Sequence, residues 1–365
     1  MRRALASATL RRRLTTTTTT TTTPSTMRAV VASRFGAPDV LELHESAPVP
    51  AAPAAGEVLI RMHAAGVNPS DTYIRLGPEG PWAATPHLLP SLPYIPGKDG
   101  AGVVEAVGEG VGGSFAPGDR VYTTWSLTGT FAEYALCAAD NVHPLPERVS
   151  FAQGACVGVP CATAHRALFT RCRAEPGDAV FIHGASGAVG LAATMLALDR
   201  GCTVVGSAGT AAGEEAIARL GATAVNHSAE GYLEAAAAAL PPEKRGAFDI
   251  VLEMAAHANL VADLGLVRVG GQVAIIGSKP EAVSLNPRLL MPKEISVHGV
   301  FLPVNTAEEK RANHAALYES MVSGALTPVV GETFPLADAA QAHVEVVQPS
   351  AGGKVGNVVV VVRYE

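Results

Sequence analysis

One run, Gly184-Ala185-Ser186-Gly187-Ala188-Val189-Gly190, constrains this chain more than any other. It follows an apolar stretch, Ala179 to His183, that reads as a buried strand. It opens an alanine-rich stretch, Ala188 to Arg200, that reads as a helix. A tight turn needs glycine, close approach to a pyrophosphate excludes bulky side chains, and a helix N-terminus offers free N–H groups to negative charge. The spacing is G-x-x-G-x-x-G rather than G-x-G-x-x-G, so the reading rests on the strand before and the helix after.

The pattern around the turn divides the chain. From Met27 to about Phe151, short β-branched runs are cut by Gly and Pro: Arg28 to Ala32, Glu57 to His63, Gly102 to Val107, Arg120 to Thr123 and Thr130 to Leu136. That is a β-rich domain. From about Ala152, brief apolar strands alternate with Ala/Leu segments, the signature of βαβ units and a parallel sheet. Strands are expected at Thr203 to Gly206, Ala224 to Asn226, Ile250 to Glu253, Gln272 to Ile276 and Ile295 to Val300, and helices at Gly213 to Leu220 and Ala258 to Leu266. After Val300 a helix, Thr306 to Ser323, leads to the valine run Val358 to Val362, which is expected to return to the first domain. The expected division is 1–26, 27–151, 152–299 and 300–365.

Residues 1–26 hold five arginines, a threonine run from Thr15 to Thr23 and no acid, the composition of a mitochondrial targeting leader; a start at Met27 would leave the protein cytoplasmic. Without those arginines the net charge falls from −6 to −11, which argues against a general binder of phosphate backbones. The five cysteines form no C-x-x-C pair. They suggest neither a disulfide framework nor a zinc lobe. No apolar run has the roughly 18 residues needed to cross a membrane.

NAD-preferring sites carry an acid at the end of the second strand, where it binds the ribose 2′-hydroxyl. Here the region reads Gly206-Ser207-Ala208-Gly209-Thr210, without a carboxylate to repel a 2′-phosphate. NADPH is therefore the expected cofactor.

A series of matches then becomes specific: Gly66-Val67-Asn68-Pro69 with Thr72-Tyr73-Ile74-Arg75, Tyr94-Ile95-Pro96-Gly97, the glycine turn, Ser207-Ala208-Gly209-Thr210, Asn226-His227, Glu253-Met254, Ala258-Asn259-Leu260, Gly277-Ser278 and Asn286-Pro287-Arg288. In these runs the chain resembles the zeta-crystallin type of NADPH:quinone oxidoreductase, a zinc-free branch of the medium-chain dehydrogenase/reductase superfamily. The resemblance implies an α/β fold, with a GroES-like β-rich catalytic domain and a Rossmann doubly wound parallel-sheet domain. It implies that Asn68 and Tyr73 are polar contacts for nicotinamide and quinone. Ser186, Gly187, Ala188 and Val189 would hold the pyrophosphate, and Gly209 and His227 would flank the adenosine end. Asn259, Ile275, Ile276, Gly277 and Ser278 would embrace the ribose and nicotinamide. A homodimer or homotetramer is implied as well.

Zinc alcohol dehydrogenases of the same superfamily place a cysteine where this chain has Asn68, and a His-Glu pair where it has Lys98-Asp99. A catalytic zinc needs about three protein ligands, so no metal is expected. Without one, the reducible group must already be electron-poor, as in a quinone. The chain also departs from the pattern it resembles: Cys161, Ala162 and His165 stand where aromatic residues are found, which widens or reshapes the cleft. Lys354 precedes an apparent insertion and is assigned no role. A second enzymatic reading, a mitochondrial 2-enoyl thioester reductase, rests on Asn68-Pro69-Ser70-Asp71 and the leader. A third, a structural or AU-rich RNA-binding role, is opposed by the acidic body and the lack of an arginine stripe.

Overall fold

The protein is described by a computed structural model over residues 23–350 and 353–364; most of the expected leader lies outside the described residues. The amino-terminal lobe contains β1 (Thr26–Ala32), β2 (Leu41–Pro48), β3 (Glu57–Val67), α1 (Pro69–Leu76), β4 (Asp99–Val107), β5 (Arg120–Thr123), β6 (Tyr134–Ala138) and β7 (Val142–Pro144). β1 and β2 pair as an antiparallel ribbon. β3 is the central strand of the larger sheet, which explains why its apolar residues run almost without alternation.

Two short helices, α2 (Phe151–Gly154) and α3 (Ala162–His165), lead out of this lobe, separated by a π-helical stretch from Val157 to Cys161. Pro160 lies inside that stretch. Proline has no N–H to give to the helical ladder, and the wider turn accommodates the missing bond.

The second lobe runs β8 (Ala179–Ile182), α4 (Ala188–Asp199), β9 (Thr203–Ala208), α5 (Ala211–Arg219), β10 (Thr223–Asn226), α6 (Tyr232–Ala238), β11 (Phe248–Glu253), α7 (Ala256–Leu266), β12 (Val267–Ile275) and β13 (Ser296–Gly299). Its strands are parallel and ordered β10-β9-β8-β11-β12-β13. That is the doubly wound order, whose direction of winding reverses between β8 and β11 and leaves a crevice at the carboxyl ends of those strands. The chain then forms α8 (Ala307–Ser323), β14 (Val330–Pro335), α9 (Ala339–Glu345) and β15 (Asn357–Val361). β15 pairs antiparallel with β3, so the valine run is a fully internal strand of the first lobe's seven-stranded sheet.

The largest apolar cluster crosses from lobe to lobe: Ala101, Tyr122 and Val359 pack in one assembly with Leu168, Leu191 and Ile250. β9 runs two residues beyond the expected Gly206, because Ser207 and Ala208 still register with Val225 and Asn226 of β10. Its alternation of small and β-branched residues gave no earlier stop.

Candidate active site in the cleft between the lobes

The glycine turn sits at the crevice. Gly184 has φ +56, a backbone conformation that side chains disfavour, and a Cβ at Gly190 would lie 2.5 Å from Ala185 Cα. Gly184 is required by its left-handed backbone and Gly190 by the close packing of α4 on the turn. Gly187 caps α4, and Ser186 to Val189 border the half-buried start of that helix. At the neighbouring strand end, Gly209 and His227 adjoin: a Cβ at Gly209 would lie 2.7 Å from His227 Nε2. Burial, and His183 behind it, hold the His227 imidazole below its ordinary pKa. Ser207, by contrast, is fully buried beneath the turn, with its Oγ 3.3 Å from the Gly184 N–H. The exposed position at this strand end is thus Gly209, three residues after Gly206, the strand end read from sequence.

Across the sheet, Ile275 ends β12, and Ile276, Gly277 and Ser278 follow it. They line a cavity of about 440 Å³ with Arg166 and Phe301. Asn259 behaves differently from the expectation. Its Nδ2 lies 3.3 Å from Glu253 Oε1 and 3.5 Å from His183 Nδ1, so the amide points into a buried cluster rather than toward the crevice. Nor does it cap the helix; Ala255 occupies that position.

The facing lobe supplies the turn from β3 into α1. Asn68 caps this helix, Pro69 fits the first helical position, and the Asp71 carboxylate accepts the Asn68 N–H at 2.7 Å. Asn68 is only 2% exposed, and its Nδ2 donates to Asp99 Oδ2 at 2.9 Å. That carboxylate also accepts the Val159 N–H at 2.7 Å, while burial pushes the Asp99 carboxyl up to about 7. Asn68 therefore orders the turn, its amide N–H committed to Asp99. Tyr73 lies on α1, half-buried, its phenol raised by burial. Lys98 Nζ lies 2.8 Å from both Asp71 Oδ1 and Ser70 Oγ, in a buried pair. Of the three positions set against zinc ligands, Asn68 and Asp99 are thus hydrogen-bonded to each other and Lys98 is paired with Asp71.

Among the described residues, one group has metal-ligand proximity, His183, Glu253 and Asp263, all buried. The three contact one another, His183 Nε2 lying 2.8 Å from Asp263 Oδ1 and 3.3 Å from Glu253 Oε2, while Glu253 Oε2 and Asp263 Oδ2 accept no hydrogen bond. Burial raises Glu253 to about 7 and Asp263 to about 6, and lowers His183. A proton shared among these groups fits this geometry without a metal.

Residues 54–147 match the alcohol dehydrogenase GroES-like domain family, and residues 188–317 match the zinc-binding dehydrogenase family. The quinone oxidoreductase of Mus musculus is 41% identical over 334 residues, covering 91% of this chain and 97% of that protein. That of Sus scrofa is 44% identical over 322 residues, covering 88% and 94%. The chain belongs to the quinone oxidoreductase family. Its fold agrees with solved structures of that family: Escherichia coli quinone oxidoreductase complexed with NADPH has a TM-score of 0.77 at 27% identity, covering 92% of this chain and 99% of that one. The Pseudomonas syringae pv. tomato quinone oxidoreductase has the same TM-score at 28% identity, covering 92% and 100%. The α/β architecture expected from sequence, GroES-like sheet and Rossmann sheet together, is the one found.

Within this quinone oxidoreductase family member, sequence reasoning foresaw the return segment but missed its contact with the glycine turn. Gly356 N–H donates to Ser186 O at 2.9 Å, and a Cβ at Gly353 would lie 2.6 Å from Thr210. Lys354 lies between these two glycines, with burial lowering its pKa to about 8. The signal was present as Gly353-Lys354, but no local pattern says that residues so far along the chain lie on residue 186.

Proposed function

We propose that this protein reduces quinones with NADPH and needs no metal to do so. The observation that carries the reading is the crevice itself. The β9 end, Ala208-Gly209-Thr210, offers no carboxylate against a 2′-phosphate, and the same crevice opens at Ile276 to Ser278 on a cavity walled by Phe301. The curated relatives at 41% and 44% identity are named quinone oxidoreductases, which supports the substrate class.

NADPH supplies a hydride when bound. The chain's part is to hold the reactants: Ser186 to Val189, at the N-terminus of α4, would hold the pyrophosphate, with Lys354 nearby, while the Gly187 N–H stays bonded to Gly184 O. Ile276 to Ser278 border the nicotinamide end, and the Asn68 turn, fixed by Asp99 and Asp71, presents Tyr73 from the opposite lobe. With Asn68, Lys98 and Asp99 at the positions set against zinc ligands, the chemistry suits an already electron-poor ring, and solvent would provide protons.

The test is NADPH oxidation against ortho-quinones, para-quinones and enoyl thioesters. Turnover of quinones well above thioesters is expected, and unaffected by chelator; selective thioester turnover would overturn the reading in favour of a 2-enoyl thioester reductase.

Two further readings belong here. Residues 1–26 are a mitochondrial leader, supported by their five arginines and lack of acids; a fluorescent fusion that stays cytosolic would refute this. The protein forms a homo-oligomer, supported by the edge position of β13 and the exposed Val297 and Met291 nearby. Light scattering at the monomer mass would refute it.

A further inference from the structure

Two lysines border Trp125, and only one of them has an acid to pair with. Lys98 lies at the corner where the rings of Trp82 and Trp125 run nearly parallel, 5.4 Å from each ring centre, and is paired with Asp71. Lys310, on α8, meets a neutral group instead: its Nζ donates to Asn141 Oδ1 at 2.8 Å. The acid beside it in sequence, Glu309, is held by Arg166 at 3.1 Å. Among the described residues no carboxylate forms an ion pair with Lys310.

This cation faces a space. Lys310 lines a cavity of about 220 Å³ with Thr124, Trp125, Ala162, Asn305 and His314. Ala162, a small residue where the family pattern has an aromatic one, forms part of the wall. The segment Phe301-Leu302 ties this cavity to the nicotinamide end, since Leu302 lines it and Phe301 lines the one at Ile276 to Ser278.

The remaining polar groups there are neutral. Burial lowers the His143 imidazole to about 3 and holds His314 well below its ordinary value, with Lys310 adding to both, and burial pushes the Tyr122 phenol up. Tyr122 Oη and His314 Nδ1 are 2.9 Å apart, so the phenol donates and His314 Nε2 keeps a proton to give. Asn305 Oδ1 is buried without a hydrogen-bond partner, and the amide turned end for end presents its N–H groups instead. Lys310 is thus the one full charge among the residues lining the cavity, and it is surrounded by groups that can donate. An ammonium without a counter-ion in a half-enclosed site favours an anion, because the charge-assisted bond it makes there is stronger than one to a neutral acceptor.

We propose that this cavity is an anion subsite in which Lys310 binds a carboxylate carried by the quinone as a substituent, so that this chain prefers acid-bearing over neutral quinones. The proposal rests on the quinone-reducing function above and narrows its substrate class. Lys310 sets specificity and takes no part in the hydride step.

The experiment compares kcat/KM for 2-carboxymethyl-1,4-benzoquinone and for its methyl ester with NADPH, in wild type and in Lys310→Met. The methylene group keeps the acid apart from the ring, so the two substrates differ chiefly in charge. Wild type should favour the acid at least tenfold, and Lys310→Met should lower that ratio about tenfold through KM while the value for the ester stays within twofold. A wild type without preference, or a ratio that Lys310→Met leaves unmoved, overturns the proposal. A second measurement needs no turnover: 2,5-dihydroxyphenylacetate, which cannot accept a hydride, should quench the tryptophan fluorescence of wild type saturably and that of Lys310→Met without saturation. Equal titration curves also overturn it. Should no quinone oxidise NADPH, the proposed function falls, and this titration still decides the subsite separately.

Discussion

Two buried clusters flank the cleft, each made of two carboxylic acids and one base. In the β-rich lobe they are Asp71, Asp99 and Lys98; in the nucleotide lobe they are Glu253, Asp263 and His183. The inventories match, but the bases differ. Lys98 is paired with Asp71, while burial forces the Asp99 carboxyl upward, to about 7. In the second cluster burial lowers His183 and raises both acids, Glu253 to about 7 and Asp263 to about 6. The first cluster is a fixed charge lattice that sets the Asn68 turn; the second is a proton reservoir beneath the phosphate turn.

Removing the fixed charge tests the contrast hardest. Lys98→Met would leave the Asp71 carboxylate buried without a cation, and a cost of about 3–5 kcal/mol is expected in denaturant unfolding, largely restored by adding Asp71→Asn. A loss below about 1 kcal/mol would mean the two clusters do not differ in this way.

Protonation is the next lever. Glu253 is raised in the folded state, so its contribution is fully present below the unfolded value near 4.5 and is lost as pH rises through about 7. Glu253→Gln should remove that dependence. Relative to wild type, the variant should gain on the order of 2 kcal/mol between pH 5 and 8 in urea midpoints. The neutral histidines act in the opposite direction, since His143, lowered to about 3, and His165 and His343, each lowered to about 4, cost stability as pH falls through 6.5. They are common to both proteins and cancel in the difference. Parallel pH curves would refute the reservoir.

The smallest effect leaves both clusters untouched and asks about the turn alone. Gly209→Asp should lower the preference for NADPH over NADH at least tenfold, about 1.4 kcal/mol, by repelling a 2′-phosphate. Ser207→Asp should instead destabilise the protein without that selectivity, because position 207 is fully buried. A cofactor switch from Ser207→Asp, with none from Gly209→Asp, would reverse this placement.

These contrasts also mark what the sequence could carry. Strand, glycine turn and helix were readable because each is specified within a dozen residues. The same holds for the missing acid after β9, though pairing with β10 moved its position by two. The side-chain partners of Asn68 and Asn259 were not readable for a physical reason. Which way an amide points depends on a buried acceptor 31 residues away in one case, Asp99, and on the His183 cluster in the other. α6 was passed over because Tyr232–Ala238 is short and mostly alanine. The tryptophan corner was invisible as well, since Trp82, Lys98 and Trp125 meet only after three separate loops fold together.

The strap of Gly353 to Gly356 over the glycine turn makes the phosphate site a joint between the lobes. Gly356 is bonded to Ser186, and the next residue begins β15, which lies against β3 at the centre of the other lobe's sheet. A cofactor seated on the turn therefore loads both sheets at once. The lobes should melt in a single transition, and NADPH at 100 times its Kd should raise the stability of the β-rich lobe, which it barely touches, by the same ~2.7 kcal/mol as the lobe that binds it.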